Sequence, residues 1–283
     1  MILSERICRL ICRERLEASL AKMTESEFTV ARSVGFVAAV AVAMSLQHLT
    51  PHARLRGSWR INVALWAIDG AVLGVVCGAC AYAVARWANA AGVGVLAVVP
   101  LPSALAIIAT VIVLDAVSYG WHRANHQVRW LWRFHKAHHS DTTFTVSTAV
   151  RFHPGELLLA VPVRLLAVVL LGAPASGVVF FEILFAFANL IEHGDIDLPA
   201  QLERRLTRVL ISPAMHRRHH STRVRELNTN FGTIFSFWDR WFATFLANDS
   251  AAQVETGLVG MSRSLSLSEV LLLPVRQHPT AEG

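Results

Sequence analysis

The sequence predicts an all-α fold: an integral membrane bundle of four to five spanning helices, two of them in a hairpin, beneath a cytosolic cap of histidine-rich helices. Composition is the first reason. Of the 283 residues, 54% are hydrophobic and 16% charged, whereas soluble proteins average about 25% charged residues. The other reasons are a set of five long apolar segments and the grouping of histidines in short stretches beside them.

The apolar segments are the candidate membrane spans, because a helix needs about 20 mostly apolar residues to cross a bilayer. The last two are short and are joined by Gly172-Ala-Pro-Ala-Ser176. We therefore predict a hairpin over 157–191 that enters the membrane and returns to the same face. Arg164 and Glu182 lie at similar depths on its two arms and are expected to pair. The five segments are 30–47, 62–85, 102–119, 157–171 and 177–191.

The segments divide the chain into four parts. These are a polar N-terminal segment (1–27), the first membrane spans (28–101), a region with the histidines and the hairpin (102–246), and a C-terminal tail (247–283). The net charge of +6 is spread through loops beside apolar segments. This pattern suits an anionic lipid surface and not nucleic acid.

Charge also predicts the orientation of the chain in the membrane. Basic residues precede and follow the hairpin, so the positive-inside rule places that face, with the histidines, in the cytoplasm. Three spans before the first histidine cluster then put the N-terminus outside. Further basic residues among the first 25, such as Arg6 and Arg13, disagree with this placement. Either the first segment does not span, or this terminus departs from the rule.

Three histidine clusters indicate a metal centre at the membrane surface. Residues three or four apart on a helix share one face, so each cluster can present several imidazoles to one ion. Imidazole is the commonest metal ligand among side chains. His153 and His193 lie at the cytoplasmic ends of the hairpin and are predicted as further ligands. The clusters are His122 and His126; His135, His138 and His139; and His216, His219 and His220.

Polar residues near these clusters are predicted to support the metal. Asp115, Tyr119, His122 and His126 fall at i, i+4, i+7 and i+11, one continuous helical face. The third span therefore continues out of the bilayer as the first ligand helix. Asp115 and Tyr119 would lie just below the metal, where a carboxylate can accept an imidazole proton and orient the ring. The alternative is an interfacial tyrosine with a paired acid. Asn230, in a turn after the third cluster, is expected to orient a ligand.

Residues 115–245 resemble the fatty acid hydroxylase and sterol desaturase family of integral membrane oxygenases, in its bacterial form. The three histidine clusters occur in the family's order, and the similarity covers nearly half of the chain. The motifs that carry it are Asp115-x-x-x-Tyr119-x-x-His122-Arg-x-x-His126, Trp132-Arg-Phe-His135-Lys-Ala-His138-His139-Ser140, Arg151-Phe-His153-Pro154, Met215-His216-Arg-Arg-His219-His220-Ser221 and Asn228-Thr-Asn230-Phe-Gly232.

The resemblance implies two iron ions held by eight to ten histidines, with O2 as co-substrate. It also implies a separate reductase or electron carrier, and hydroxylation or desaturation of a C–H bond in a membrane lipid such as a fatty acyl chain, a sterol or another isoprenoid. Some members have a second histidine where this chain has Asn189, four residues before His193. We therefore place Asn189 at the edge of the site. The resemblance further implies a bacterial inner membrane protein.

Two other functions are open on chemical grounds. Imidazole binds Fe, Zn, Cu and Ni, so the ligand type alone does not select iron. A metal transporter or sensor would need ligands deep within several spans, and no predicted span holds a histidine. A zinc hydrolase would need a general base, and the His-Glu-x-x-His motif that supplies one is absent from the sequence. The lipid itself cannot be read from the sequence.

Overall fold

The computed structural model describes residues 24–52, 58–76, 80–247, 254–261 and 263–276. Regular structure within these ranges is entirely helical, which confirms the predicted fold class. A short 3-10 helix, Val146–Val150, follows the sixth helix. The α-helices are α1 Glu25–Leu49, α2 Trp59–Val76, α3 Cys80–Ala90, α4 Val95–Val98, α5 Ser103–Gln127, α6 Arg129–His139, α7 Pro154–Leu171, α8 Ala175–Glu192, α9 Ala200–Leu206, α10 Pro213–His219, α11 Val224–Leu227, α12 Phe237–Trp241 and α13 Leu267–Leu271.

Five helical stretches are long and apolar enough to cross a membrane, and they overlap the five predicted segments. The chain is thus an integral membrane protein. Most of the first 27 residues, and the basic residues that complicate the N-terminal orientation, lie outside the described ranges. The stretches are Glu25–Leu49, Trp59–Val98, Ser103–Gln127, Pro154–Leu171 and Ala175–Glu192.

Hydrogen bonds between elements show how the spans alternate in direction. At one end, called here the site end, Gln47 of α1 accepts the backbone N–H of Val146, and Asn62 of α2 donates to Asp141. At the opposite, distal end, Asn89 of α3 donates to the backbone carbonyls of Gly172 and Ala173. The spans therefore run alternately between the two ends, and α1 begins at the distal end.

Helix α8 is the centre of the bundle, since it packs against α1, α3 and α5. The main apolar core joins α5, α7 and α8 through Leu114, Val168 and Phe181, all of them buried. Gly177 permits the contact between α5 and α8, because a Cβ at this position would lie 2.7 Å from the Thr110 hydroxyl. The site end is therefore built on a closely packed membrane framework.

The hairpin of α7 and α8 turns at the distal end. Helix α7 begins with Pro154 in its first turn, where a missing N–H costs nothing. It ends at Gly172, whose φ of +68° lies in the left-handed region that favours glycine. Both feet of the hairpin, at Pro154 and Glu192, consequently lie at the site end.

Charged side chains within the spans pair differently from the prediction. Glu182 pairs with Arg32 of α1 at 3.3 Å, and the expected pair with Arg164 is not found among the described residues. The Arg164 guanidinium lies instead against the rings of Phe181 and Phe185. Glu182 still attracts Arg164 electrostatically. The close ion pair predicted between them is replaced by the pair with Arg32, because α1, whose position the sequence does not give, reaches Glu182.

Candidate metal centre

Four elements bring the histidine clusters together at the site end. His122 and His126 lie on the last turns of α5, and the second cluster ends α6. The third cluster lies on α10 and its C-terminal cap, and His193 caps the C-terminus of α8. The α5 helix extends continuously from the membrane to His126, as the helical spacing predicts. The hairpin thus separates the first two clusters in sequence from His193 and the third.

Nine of the ten predicted histidines form two groups. Within each group, one ring nitrogen per residue lies within 4.8 Å of those of all other members. The five-histidine group contains His122, His126, His135, His139 and His219; the four-histidine group contains His138, His193, His216 and His220. The two groups adjoin, since the rings of His139 and His220 stack at 4.2 Å between centroids.

Fixed acceptors determine the tautomer of five of these rings. A carbonyl or carboxylate oxygen can only accept, so the Nδ1 atom facing it must carry the proton and Nε2 must carry the lone pair. The Nδ1–H groups donate as follows: His122 to the Phe231 carbonyl at 2.9 Å, His135 to Glu156 Oε1 at 2.8 Å, His138 to the Arg151 carbonyl at 3.1 Å, His193 to the Asn189 carbonyl at 2.7 Å and His219 to the Thr229 carbonyl at 2.7 Å.

Within the four-histidine group, two lone pairs face each other. The Nε2 atoms of His138 and His193 are 3.0 Å apart, although the protons of both rings are on Nδ1. Burial lowers the pKa of His193 to about 3 and that of His138 well below its usual range, so a shared proton is disfavoured. Two bare acceptors at this distance repel each other unless a cation lies between them. This contact therefore indicates a metal site.

The five-histidine group also indicates a metal site, because buried ring nitrogens of its members lack hydrogen-bond partners. Buried Nε2 atoms of four of its members, and both ring nitrogens of His139, have no hydrogen-bond partner. Buried polar atoms are otherwise nearly always paired. The four other members are His122, His126, His135 and His219.

The two groups fit metal ions in donor chemistry and spacing. Imidazole nitrogen bonds zinc at about 2.0–2.1 Å, so two ligands of one ion lie roughly 2.8–3.4 Å apart for angles between a right angle and the tetrahedral angle. This matches the spacing between His138 and His193, and that between the Nε2 atoms of His193 and His216, 2.9 Å. Neutral imidazoles can bind Fe, Zn, Cu and Ni. The geometry therefore supports two metal ions without selecting the element.

Two glutamates at the feet of the hairpin lie behind the histidines, and sequence reasoning missed both. Glu156, on the first turn of α7, accepts from His135 and also from Asn125 Nδ2 at 3.1 Å. Glu192, the last residue of α8, lies 3.8 Å from the Nδ1 atoms of His193 and His216. The sequence did contain a signal for both. Each carboxylate lies at an end of the hairpin, Glu192 next to His193 and Glu156 three residues after His153.

His153 does not join either group, contrary to the ligand prediction. Its Nδ1 accepts the backbone N–H of Gly155 at 2.9 Å and so caps the N-terminus of α7. Its Nε2 lies 3.1 Å from the Leu271 carbonyl of α13. Both ring nitrogens are thus used by the backbone. The prediction rested on its position at a membrane boundary, a place where a helix cap is equally suitable.

Asp115 does not orient an imidazole, which corrects the role predicted for it. Its two oxygens accept from the backbone N–H groups of Ile234 and Phe235 and from Trp238 Nε1, at 2.8–3.2 Å. Asp115 thereby anchors the loop that carries Phe231, the carbonyl partner of His122. Asp115 therefore supports His122 indirectly, through this loop, and does not contact the imidazole as the helical spacing suggested.

Tyr119 shares this supporting position. Its hydroxyl hydrogen bonds with Thr244 Oγ1 at 2.8 Å, and its ring packs against Phe231 and Phe242. Among the described residues, Tyr119 makes no hydrogen bond to a histidine and no ring pair with one. The structure therefore places Tyr119 beneath the 229–245 loop and not beside a ligand.

The two asparagines support ligands through the backbone. Asn189 donates its side-chain amide to the Ala149 carbonyl at 2.9 Å, while its own backbone carbonyl accepts from His193. Asn230 is fully buried and adopts a φ of +55°. Its side chain bonds Met215 and Leu246. This left-handed turn lets the carbonyls of residues 229 and 231, on either side of Asn230, reach two different histidines.

The buried side chain of Arg151 fixes the end of α6, which carries the second histidine cluster, to helix α2. Arg151 donates to the Ala137 carbonyl, to Ser140 Oγ and to Asn62 Oδ1 of α2 at 2.8–3.2 Å. Asn62 in turn donates to Asp141 at 2.8 Å. The end of α6 is thus fixed to a membrane span, which positions the histidines that it carries.

A cavity of about 90 Å³ leads from both histidine groups into the membrane region between α5, α7 and α8. Ring atoms of both groups form one end of it, and the other end lies deeper along α7 and α8. A lipid that enters between these helices could bring a carbon atom to the histidines. The residues at the two ends are His122, His135, His138, His193 and His216, and Ala160, Val163, Arg164 and Phe185.

Residues 107–244 match the model of the fatty acid hydroxylase family. This region belongs to the fatty acid hydroxylase family. It holds all nine grouped histidines together with the hairpin between them. The resemblance seen in the sequence is thereby confirmed. No solved structure matches the chain.

Curated relatives of this fatty acid hydroxylase region act on several lipids, according to their names. An ornithine lipid hydroxylase of Rhizobium tropici is 30% identical over 56% of this chain and 47% of its own length. A cholesterol 25-hydroxylase of Rattus norvegicus is 26% identical over 49% and 46%, respectively. An alkylglycerol monooxygenase of Danio rerio is 24% identical over 59% and 35%. The matched part thus spans at most about half the length of these relatives.

Proposed function

We propose that the protein is a membrane-bound hydroxylase that uses O2 and two electrons to oxidise a C–H bond of a lipid. One oxygen atom enters the lipid as a hydroxyl group and the other leaves as water, with two protons consumed. The observation that carries the proposal is the lone-pair contact between His138 and His193 at the mouth of a membrane cavity. Relatives named as hydroxylases and a monooxygenase favour hydroxylation over desaturation.

The nine grouped histidines would hold two iron ions, one in the five-histidine group and one in the four-histidine group. When bound, the irons supply the activation of oxygen. The chain contributes neutral ligands, because burial keeps the imidazoles uncharged, and it fixes five of them through acceptors on Nδ1. Iron is preferred to zinc or copper because of the family, since the donor atoms do not discriminate.

The protein's part in the reaction is to position the lipid and exclude water. The cavity lies among membrane helices, so a lipid can reach the histidines without leaving the hydrophobic environment. The sequence contains no haem, flavin or iron–sulfur motif, so we propose a separate reductase or electron carrier that reaches the site end. Exposed basic residues at this end, including Arg129, Arg133 and Arg204, support a cytoplasmic orientation in a bacterial inner membrane.

The test combines metal analysis with lipid product analysis. Protein purified in detergent should contain iron, and it should convert a lipid extract to products heavier by one oxygen when O2 and a competent reductant are supplied. Labelled O2 should place its isotope in the product. A His138→Ala/His193→Ala variant serves as the control and should lose the iron of the four-histidine group and form no product. Protein that carries no iron and forms no oxygenated lipid under these conditions would contradict the proposal, whereas zinc with a hydrolysed lipid would indicate a hydrolase.

A further inference from the structure

Arg164 is a charged residue in the middle of a membrane span. It follows Pro154 by ten positions on α7, which corresponds to about 15 Å along the helix axis. This depth is about half of a typical hydrocarbon core of roughly 30 Å. Ionisable residues at such depth are rare and are by default candidates for function.

The hydrogen-bonding capacity of Arg164 is not used by the described part of the chain. Its guanidinium carbon lies 5.4 and 5.3 Å from the ring centroids of Phe181 and Phe185. Aromatic faces stabilise the charge, but they leave the in-plane N–H donors without acceptors, and a guanidinium carries five. No hydrogen bond or ion pair of Arg164 is present among the described residues.

Arg164 also shares its counter-ion with a second arginine. The carboxylate of Glu182 attracts Arg164 electrostatically, but its close ion pair, at 3.3 Å, is with Arg32 of α1. These three side chains, Arg32, Arg164 and Glu182, therefore carry one net positive charge within the spans. A polar acceptor that enters the membrane region beside Arg164 would gain hydrogen bonds and charge complementarity together.

The cavity connects Arg164 with the histidine groups. Arg164 and Glu156 both line it and are separated by eight residues of α7, or about 12 Å along the helix axis. Ser118 and Thr233 add hydroxyl groups to the cavity wall. A ligand with a polar group at Arg164 can thus present a carbon atom to the histidines, with the two points on the order of 10 Å apart.

We propose that Arg164 binds an oxygen acceptor of the lipid substrate, either a carboxylate or an ester or amide carbonyl. The substrate is then a lipid with such a group about 10 Å from the carbon that is oxidised, and not a plain hydrocarbon. Arg164 determines specificity in this way. The assignment of the cavity to substrate rests on the proposed function, but the binding property of Arg164 can be measured without turnover.

The experiment compares two probes that differ only in the acceptor group, 9,10-dibromostearate and 9,10-dibromooctadecane. Bromine quenches tryptophan fluorescence, and Trp121 lines the cavity, so binding to the metal-loaded protein in detergent is read as saturable quenching that Trp121→Phe reduces. Wild-type protein should bind the carboxylate probe at least about tenfold more tightly, as expected for hydrogen bonds to a charged group. Arg164→Met should remove this preference, and Arg164→Lys should retain part of it.

Arg86→Met is the matched control, because it removes an arginine of another membrane span that does not line the cavity; it should keep the preference. Unchanged binding of the hydrocarbon probe by Arg164→Met shows that the variant is folded, and Arg164→Gln replaces it if it is not. A wild-type protein without preference overturns the proposal. So does a preference that survives neutral substitution of Arg164, since the carboxylate then binds elsewhere, as on the metals. Arg164-dependent binding without oxygenated product refutes only the proposed function, and product formation without Arg164-dependent binding refutes only the role of Arg164.

Discussion

Replacement of Glu156 by alanine is the sharpest test of how the chain orients its metal ligands. Glu156 Oε1 accepts from His135 at 2.8 Å, and the two side chains are only 4% and 2% exposed. It also accepts from Asn125 at 3.1 Å. Glu156→Ala removes the acceptor that keeps the His135 proton on Nδ1, and it leaves two buried donors unpaired. Loss of such an orienting partner typically lowers metal affinity about 10- to 100-fold, or about 1.4–2.8 kcal/mol.

The assay is a competitive chelator titration of purified protein, together with iron content per chain. Glu156→Gln keeps an acceptor oxygen for His135 and is expected to fall between the wild type and Glu156→Ala. Glu182→Ala is the matched control, because this carboxylate lies on the other arm of the same hairpin and pairs with Arg32, away from the histidines. Folded Glu156→Ala protein with wild-type iron affinity would refute the reasoning, since His135 would then need no oriented tautomer.

Three further substitutions test the supporting structure. Asn230→Ala should lower the free energy of unfolding by roughly 3 kcal/mol, because hydrogen bonds are lost and alanine disfavours the left-handed φ. It should also reduce iron content. Asn230→Gly tolerates this φ and should lose less stability and less iron, whereas equal losses in the two variants would show that the φ is unimportant. His153→Ala should retain full iron content, because His153 lies outside both groups. It should lower the thermal midpoint of unfolding in line with the loss of a helix cap, about 1 kcal/mol. Loss of iron in this variant would show that His153 is a metal ligand after all. Asp115→Asn leaves one acceptor oxygen for three donors. It should weaken iron binding, because the loop that orients His122 loses its anchor, without a change in lipid-probe affinity. Unaltered iron affinity would show that this loop does not control the His122 ligand.

The spans and the three histidine clusters were accessible from the sequence because they depend on local periodicity. Apolar runs of span length become helices wherever the fold puts them, and His122 and His126 share a face on any helix. The same argument failed for Asp115. Its position on that face was correctly inferred, but its partner, the backbone at Ile234 and Phe235, arrives from a distant loop. Helical spacing identifies a face and not what packs on it.

The acceptors that orient the histidine rings could mostly not be predicted from the sequence. Four of the five are backbone carbonyls, and only the fifth, Glu156, is a side chain. Any residue carries a carbonyl, so nothing in the sequence marks Phe231 or Thr229 as the partner of a histidine. Asn230 was singled out as a side chain that orients a ligand, whereas its conformation performs this task for both neighbours. Glu156 could have been found, since it is a carboxylate in the first turn of a membrane arm that meets the histidine clusters.

The placement of the hairpin makes the metal centre depend on correct membrane insertion. Four of the nine grouped histidines, including His193, follow the hairpin in the chain, and each group draws members from both sides of it. A chain whose α7 and α8 had not yet entered the bilayer would hold two incomplete sets of ligands. Completion of either histidine group therefore requires insertion of the hairpin, so a misinserted chain holds no complete metal site.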